Sequence, residues 1–373
     1  MIRAIILMLA VSSGMVISGR PISPDAAMRA AEEFFGKHNQ PSKPLKVHSF
    51  DSDAEKSVAQ PYYIFNSPAD DGGFVIIGGD DRLQRVLGYS DTGSLTPDNI
   101  PPQLADLLGQ YVAKVDSIDG GGTHPSWSAP ARDNNDEGVL LETVNWGQAE
   151  PYNILMGSTQ DGQHYPAGCV ATAAAIVMKY HNWPTTGRRK HKVKSNRFID
   201  FGALTFDWHL MDDLYVNDVL NDDAAKEISK LMKAVGRSID TNYGVNGSAA
   251  NDALLGRTLF EYFRYSPDAQ TIHAYNFTKE EWNDILHNEI DNNRPVIYGA
   301  SSIVDGGHEF VCDGYKGSKY HINWGWDGAA NGYFDLESLM GFNIAPSMTI
   351  NISPDNSDVE DYSEVFIDSA HWT

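Results

Sequence analysis

The sequence contains only two cysteines, Cys169 and Cys312, among its 373 residues. Secreted domains that are held together by disulfides carry several cysteine pairs, so this chain is not a disulfide scaffold. The two residues either form a single disulfide or leave at least one free thiol with a chemical task. The sequence alone leaves both alternatives open.

Basic residues are also scarce, since 28 Lys and Arg stand against 50 Asp and Glu and give a net charge of −22. Such a chain repels phosphates and anionic lipid surfaces, so we expect no nucleic-acid partner. No apolar run is long enough to span a bilayer, so no transmembrane anchor is predicted. The histidines lack the spacing of metal ligands, and we expect no metal or other cofactor.

The first 19 residues have the pattern of a secretory signal peptide. Arg3 supplies a basic start, residues 4–11 form an apolar core, and small residues follow. Cleavage after Gly14 and cleavage after Gly19 both fit this pattern. The sequence therefore predicts a secreted or otherwise extracytoplasmic protein.

Residues 20–116 are predicted to form a small α+β domain. Ser23-Pro24-Asp25 is typical of a helix start, with a capping hydroxyl, a proline in the first turn and an acid near the positive end of the helix dipole. Strands are predicted at 62–65, 74–77 and 86–89, and a second amphipathic helix at 104–115.

The rest of the chain divides into three parts. Residues 117–138 contain a glycine triplet and prolines without periodic apolar positions, so we predict an exposed linker, where proteases cut most readily. Residues 139–354 are long enough for a second domain, and residues 355–373 form an acidic, polar tail.

Cys169 lies in the segment that indicates chemistry most clearly. Gly168 precedes it and an alanine-rich run of good helix formers follows, which places Cys169 in the first turn of a buried helix. Backbone N–H groups and the helix dipole at such a position favour a thiolate, and a nearby cationic histidine lowers the thiol pKa further. An inert cysteine in a core helix would fit this segment equally well on its own.

A glycine pair, Gly306-Gly307, precedes His308 at the predicted start of a strand. These glycines allow a ligand backbone to approach closely, so Gly307 is a predicted substrate-binding position. His308 at the mouth of the strand could reach both a thiol and solvent. Cys312 lies on the same strand and is predicted to be a small core residue.

Two further segments complete the pattern. Asn323 and Trp324 lie on the next predicted strand, where the amide can orient an imidazole and the indole can shield that hydrogen bond from water. Gln148 precedes the cysteine, and its side-chain N–H₂ can donate to an oxyanion. His308 follows Cys169 by 139 residues (308 minus 169), within the interval of about 130–150 residues found in papain-like chains.

With these motifs, the chain resembles the streptopain family of bacterial cysteine peptidases. The matching segments run from about residue 20 to about 354: residues 73–77, 86–90, 148–153, 168–182, 306–308 and 320–326. The resemblance implies an α+β, papain-like fold with a helical and an antiparallel β subdomain, preceded by an inhibitory propeptide. The acidic tail after Pro354 matches nothing in that family, and no further C-terminal domain is expected.

The resemblance also implies the roles of individual residues. Cys169 would be the nucleophile and His308 the general base and acid, with Gln148 as oxyanion donor and Asn323 and Trp324 as orienting residues. The partners would be protein or peptide substrates with a hydrophobic residue at P2, bound in an apolar S2 subsite. The propeptide would act as an intramolecular inhibitor that is released by a cut in the linker.

Two other functions use the same residues differently. An acyltransferase or transglutaminase would pass the acyl group from the cysteine to an amine instead of water. A secreted binding protein could retain the fold without the activity. The presence of Cys169, His308 and Gln148 together favours a peptidase over a binding protein.

Overall fold

The structure is a computed structural model, and it describes residues 21–36, 46–48, 60–69, 71–118, 122–132, 137–193, 197–302, 306–336 and 346–357. The predicted signal peptide and residues 358–373 of the predicted tail lie outside the described residues. Helices and antiparallel strands are mixed throughout, as the predicted α+β class requires. Within the described part of the chain, no helix is both long and apolar enough to cross a membrane.

Six α-helices are present in the described residues: α1 Pro24–Gly36, α2 Pro102–Ser117, α3 Cys169–His181, α4 Asp222–Ser238, α5 Leu255–Phe263 and α6 Lys279–Asp291. The strands are β1 Lys46–His48, β2 Tyr62–Asn66, β3 Phe74–Gly78, β4 Val86–Ser90, β5 Gly138–Leu140, β6 Lys190–Lys192, β7 Phe198–Asp200, β8 Tyr215–Val216, β9 Val219–Leu220, β10 Gln270–His273, β11 Val296–Ser302, β12 Gly306–Lys316, β13 Lys319–Asn323, β14 Gly332–Phe334 and β15 Ser347–Ile350.

The predicted elements of the N-terminal domain are confirmed. Ser23 Oγ accepts a hydrogen bond from the Ala26 N–H at 3.3 Å, so the hydroxyl caps α1 as the sequence indicated. The buried face of α1 packs on β2, β3 and β4, whose alternating residues form a separate apolar core. Helix α2 follows at the predicted place and is longer by two residues at each end.

One antiparallel sheet runs through both halves of the protein, in the order β1-β2-β3-β4-β14-β13-β12-β11-β15-β10, with β5 beside β12. The two halves join where β4 pairs with β14, with Gly88 opposite Phe334. A Cβ on Gly88 would lie 2.5 Å from the Phe334 ring, so glycine is required for the strands to approach this closely. The N-terminal domain thus extends the sheet that carries the candidate site.

Helix α2 is the second connection between the halves. Its residues Leu104, Leu107 and Tyr111 share one apolar core with Phe310 of β12 and Trp324, which directly follows β13. Buried area of this kind contributes roughly 25 cal/mol per Å². The N-terminal domain therefore docks through interior-like packing and not only through surface contacts.

Residues 122–132 of the predicted linker lie against the N-terminal domain. Trp127 donates a hydrogen bond from Nε1 to the Leu83 carbonyl oxygen at 3.1 Å and packs against the core that includes α1. Arg132 pairs with Asp91 at 2.7 Å. This middle part of the linker is therefore held in place, because an indole and a guanidinium anchor it.

Candidate active site

Helix α3 begins at Cys169, and the next ten residues of the helix are buried. Gly168 caps the helix with φ +93°, and a Cβ there would lie 3.2 Å from Ser248 atoms, so glycine serves both the backbone conformation and the close approach. The prediction that Cys169 occupies the first turn of a buried helix is confirmed. Its backbone N–H is one of the donors at the positive end of that helix that have no carbonyl partner within the helix.

The Cys169 thiol has a raised pKa in this structure, opposite to the sequence prediction. The residue keeps part of its surface in solvent, but protein surrounds the sulfur, and burial raises the thiol pKa to about 11. The carboxyl group of Glu309 raises the pKa further, whereas the N–H groups of Glu309 and Val170 lower it. Burial outweighs the effect of these N–H groups, so the predicted lowering is absent.

His308 faces the N-terminal domain. Its Nε2 lies 3.6 Å from Asp106 Oδ2 of helix α2, and both side chains are largely buried, with 22% and 18% exposed. Together with Gln103, Leu107 and other residues of α2 and β12, His308 lines a small cavity under that helix. An imidazole in this position is paired with a carboxylate of the N-terminal domain.

Gln103, from the first turn of α2, inserts its amide among the strands of the second domain. Its Oε1 accepts a hydrogen bond from Trp326 Nε1 at 2.8 Å, and its Nε2 donates to the Trp324 carbonyl at 3.2 Å and to the Glu309 carbonyl at 3.4 Å. The side chain is only 3% exposed. Gln103 and Asp106, from the same helix, thus line one cavity with His308, and no local sequence pattern indicated either contact.

Gln148 is tied to the segment that leads into α3. Its carbonyl accepts a hydrogen bond from the Ala167 N–H at 2.9 Å, two residues before Cys169. This bond ties Gln148 to the segment that leads directly into the helix of Cys169. Whether its side chain donates to an oxyanion remains a prediction.

Asn323 is buried and makes three hydrogen bonds. Its Nδ2 donates to Thr143 Oγ1 at 3.0 Å and to the Val144 carbonyl at 2.9 Å, and its Oδ1 accepts from the Gly325 N–H at 3.1 Å. In this structure the amide therefore holds the chain ahead of Gln148 and not the imidazole. Its orienting role toward His308 stays a prediction for the mature enzyme.

Trp324 is fully buried behind β12, with its ring centroid 5.0 Å from that of Phe310, and its Nε1 donates to the Ala330 carbonyl.

Gly307 is exposed at the start of β12 opposite Ser301, where a substrate strand could approach. Cys312 is buried in the core as predicted, and both cysteines are free thiols, so the structure contains no Cys169–Cys312 disulfide.

Glu309, directly after His308, is a buried acid that the sequence analysis did not single out. Burial raises the pKa of its carboxyl group well above the usual range, and hydrogen bonding to Asp252 raises it further. A Cβ on Gly299 would lie 2.4 Å from Glu309 Oε1, so only glycine leaves room for the carboxyl group. The Glu309 carboxyl group therefore adds an acid next to the thiol. The one feature of the sequence that could have indicated Glu309 is its position directly after the candidate histidine.

The described residues contain no group of three or more His, Cys, Asp or Glu side chains that could hold a metal ion.

Comparisons with known proteins match this arrangement. The model of the peptidase C10 family matches residues 146–334, and the model of the Spi protease inhibitor matches residues 19–115. The chain belongs to the peptidase C10 family. Streptopain from Streptococcus pyogenes serotype M28 is 31% identical over 332 residues, which cover 78% of this chain and 80% of streptopain.

Other relatives agree. The thiol protease/hemagglutinin PrtT of Porphyromonas gingivalis is 30% identical over 355 residues, 87% of this chain and 40% of PrtT. A prointerpain A fragment from Prevotella intermedia superimposes with a TM-score of 0.65 at 29% identity, covering 83% of this chain and 99% of the fragment. Active interpain A gives a TM-score of 0.51 at 32% identity, over 58% and 95% of the two chains.

These findings confirm the predicted family, the papain-like fold and the N-terminal propeptide. The protein is a cysteine protease made as a zymogen, with a propeptide of the Spi inhibitor type. Helix α2, with Gln103 and Asp106, belongs to that propeptide.

Proposed function

We propose that this C10 protease is a secreted endopeptidase in which Cys169 is the nucleophile and His308 the general base and acid. The observation that carries the proposal is the position of Cys169 at the start of a buried helix, packed against the strand that carries His308. A thiol at a helix N-terminus beside an imidazole is the arrangement that activates cysteine nucleophiles.

The proposed reaction proceeds through an acyl-enzyme. The Cys169 thiolate attacks the scissile carbonyl carbon, the peptide C–N bond breaks, and His308 gives its proton to the leaving amine. Gln148 Nε2 and the Cys169 backbone N–H donate to the developing oxyanion. Water, deprotonated by His308, then hydrolyses the thioester and frees the acid and the thiol. Asn323 and Trp324 are proposed to orient His308 in the mature enzyme, and Gly307 to lie against the substrate backbone.

Latency is proposed to come from the contacts of α2. The Asp106 carboxylate attracts the imidazolium form of His308 at 3.6 Å, and Gln103 fills space beside it. A base that is paired with the propeptide cannot assist the thiol. A cut within residues 117–138 would let residues 20–116 leave, and residues 139–354 would then form the mature enzyme.

Secretion and specificity complete the proposal. The apolar segment at residues 4–11 supports export through a signal peptide that ends at about residue 19. Family membership supports a hydrophobic P2 residue. Substrates that differ only at P2, with Leu, Ser or Asp, test this preference, and kcat/KM should be highest for Leu.

The catalytic assignment is tested on matured enzyme with casein as substrate. Wild type should release peptide fragments, whereas Cys169→Ser and His308→Ala should release almost none while retaining the melting temperature of wild type. Formation of cross-linked casein in place of fragments would favour an acyltransferase. Undiminished hydrolysis by Cys169→Ser would rule out the proposed nucleophile.

A further inference from the structure

The Tyr152 hydroxyl connects the residue before Gln148 to the loop after β13. Burial raises the pKa of the Tyr152 hydroxyl, the neighbouring Asp327 carboxylate raises it further through its charge and hydrogen bonding, and the Gly147 N–H lowers it. The Tyr152 side chain is only 4% exposed, so this relay from Gly147 through Tyr152 to Asp327 is mostly shielded from water. Buried hydrogen bonds of this kind fix geometry more firmly than exposed ones.

Asp327 also packs directly on Gly147. Its Oδ2 would lie 2.5 Å from a Cβ on Gly147, closer than any real Cβ contact, so the carboxylate occupies the space that a side chain would need. Asp327 has φ +53°, in the left-handed region that Asp and Asn tolerate best among residues with a side chain. The loop backbone is therefore shaped to place this carboxylate against the segment before Gln148.

The same loop holds this segment at further points. Asn331 Nδ2 donates to Asn145 Oδ1 at 2.9 Å, and Asn323, at the start of the loop, donates to the Val144 carbonyl. A Cβ on Gly328 would lie 3.0 Å from the Asn145 side chain. Residues 144–147 are thus fixed from one side by the loop at 323–331.

Gln148 is anchored from the other side by the hydrogen bond from the Ala167 N–H to its carbonyl. The residue lies between two fixed points, the Tyr152–Asp327 pair at Gly147 and the α3 entry at Ala167. An oxyanion donor needs such support, because a misplacement of about 1 Å costs roughly 10²-fold in rate.

We propose that Tyr152 and Asp327 are positioning residues that hold Gln148 in the geometry for oxyanion donation. This inference rests on the proposed role of Gln148 in a cysteine peptidase. In this proposal the pair acts on the reaction through Gln148. Its loss should lower kcat and leave KM unchanged, since the oxyanion contact forms only in the transition state.

The experiment is a double-mutant cycle on matured enzyme. Tyr152→Phe and Asp327→Asn are measured alone and in a Gln148→Ala background, with kcat and KM for one peptide substrate and a melting temperature for each variant. Asn preserves the size and the left-handed tolerance of Asp327, and Phe preserves the ring of Tyr152. Tyr315→Phe is the matched control, because its hydroxyl donates to Asp291 at 2.7 Å on the outer end of β12.

We expect each single substitution to lower kcat about tenfold, less than the roughly 10²–10³-fold loss expected for Gln148→Ala. In the Gln148→Ala background neither substitution should lower kcat further. Tyr315→Phe should retain wild-type kcat.

Equal losses in the wild-type and Gln148→Ala backgrounds would overturn the positioning role, as would an unchanged kcat or an effect on KM alone. A wild type that cleaves no peptide would instead overturn the proposed function, so the two failures are distinguishable.

Discussion

His308 Nε2 and Asp106 Oδ2 lie 3.6 Å apart across the contact between β12 and the propeptide helix α2. The proposed catalytic base is thereby paired with an acid that leaves with the propeptide. The charge next to the proposed catalytic base therefore changes when the propeptide is removed.

Removing the Asp106 charge should speed activation of the precursor. Asp106→Asn weakens the attraction between the propeptide and His308, and ion pairs of this partly exposed kind are worth about 1 kcal/mol or less, so activity should appear about two- to fivefold sooner. Asp116→Asn, an exposed acid on the same helix, is the control and should follow wild type. Identical activation times for all three proteins would show that the His308–Asp106 pair does not delay activation.

Truncating Gln103 should have a larger effect than removing the Asp106 charge. Gln103→Ala leaves the Trp326 indole N–H and the Trp324 carbonyl without their buried partner, at a cost of about 1–3 kcal/mol, so activity should appear about tenfold sooner.

Gln110→Ala is the matched control for Gln103, since Gln110 Oε1 is buried without a hydrogen-bond partner among the described residues. It should change the activation time little. A Gln103→Ala precursor that activates no faster than Gln110→Ala would contradict the docking role.

The Cys169 thiol in the precursor should react slowly with iodoacetamide at neutral pH. Burial raises its pKa to about 11, so the thiolate fraction at pH 7.5 is small, and labelling should accelerate about tenfold per pH unit toward that value. Mass spectrometry of a Cys312→Ala precursor reports labelling of Cys169 alone. Fast labelling that is independent of pH would contradict the raised pKa of the buried thiol.

The substitution Glu309→Gln should stabilise the precursor more at high pH than at low pH. Burial and Asp252 raise the pKa of the carboxyl group in the folded state well above 4.5. The unfolded chain therefore loses this proton at a lower pH than the folded protein does. The protonated Glu309 carboxyl group contributes its whole stabilising free energy below about pH 4.3, the pKa of a glutamate in the unfolded chain. That contribution is lost as the pH rises from there through the folded-state pKa.

The comparison is made in a Cys169→Ala precursor, which cannot digest itself by the proposed mechanism. The melting temperature of Glu309→Gln relative to its parent should increase from pH 4 to pH 8, whereas that of Glu280→Gln, an exposed acid on α6, should not. A difference that is constant with pH would contradict the raised pKa.

Local pattern was sufficient to predict much of the fold. The Ser23 cap, the short apolar strands of the propeptide and the helix that begins at Cys169 all depend on neighbouring residues in the chain. Gly168 was informative because its positive φ and the absence of a side chain are required at that helix start.

The missed features depend on contacts between distant segments. Gln103 meets Trp326 across 223 residues, and Asp327 meets Gly147 only after the loop behind β13 has folded back. The thiol pKa was predicted in the wrong direction because the sequence does not show how completely the folded chain buries the sulfur. Residues 117–138 were predicted as an exposed linker because they lack periodic apolar positions, although Trp127 within them packs on the propeptide.

The most direct test is a mass time course of purified precursor under reducing conditions, with wild type beside Cys169→Ala. The wild type should shorten within residues 117–138 and begin to digest casein, while the variant stays whole. If both proteins stay whole, and neither digests casein after an added protease has nicked the linker, the proposal of a Cys169 endopeptidase is contradicted.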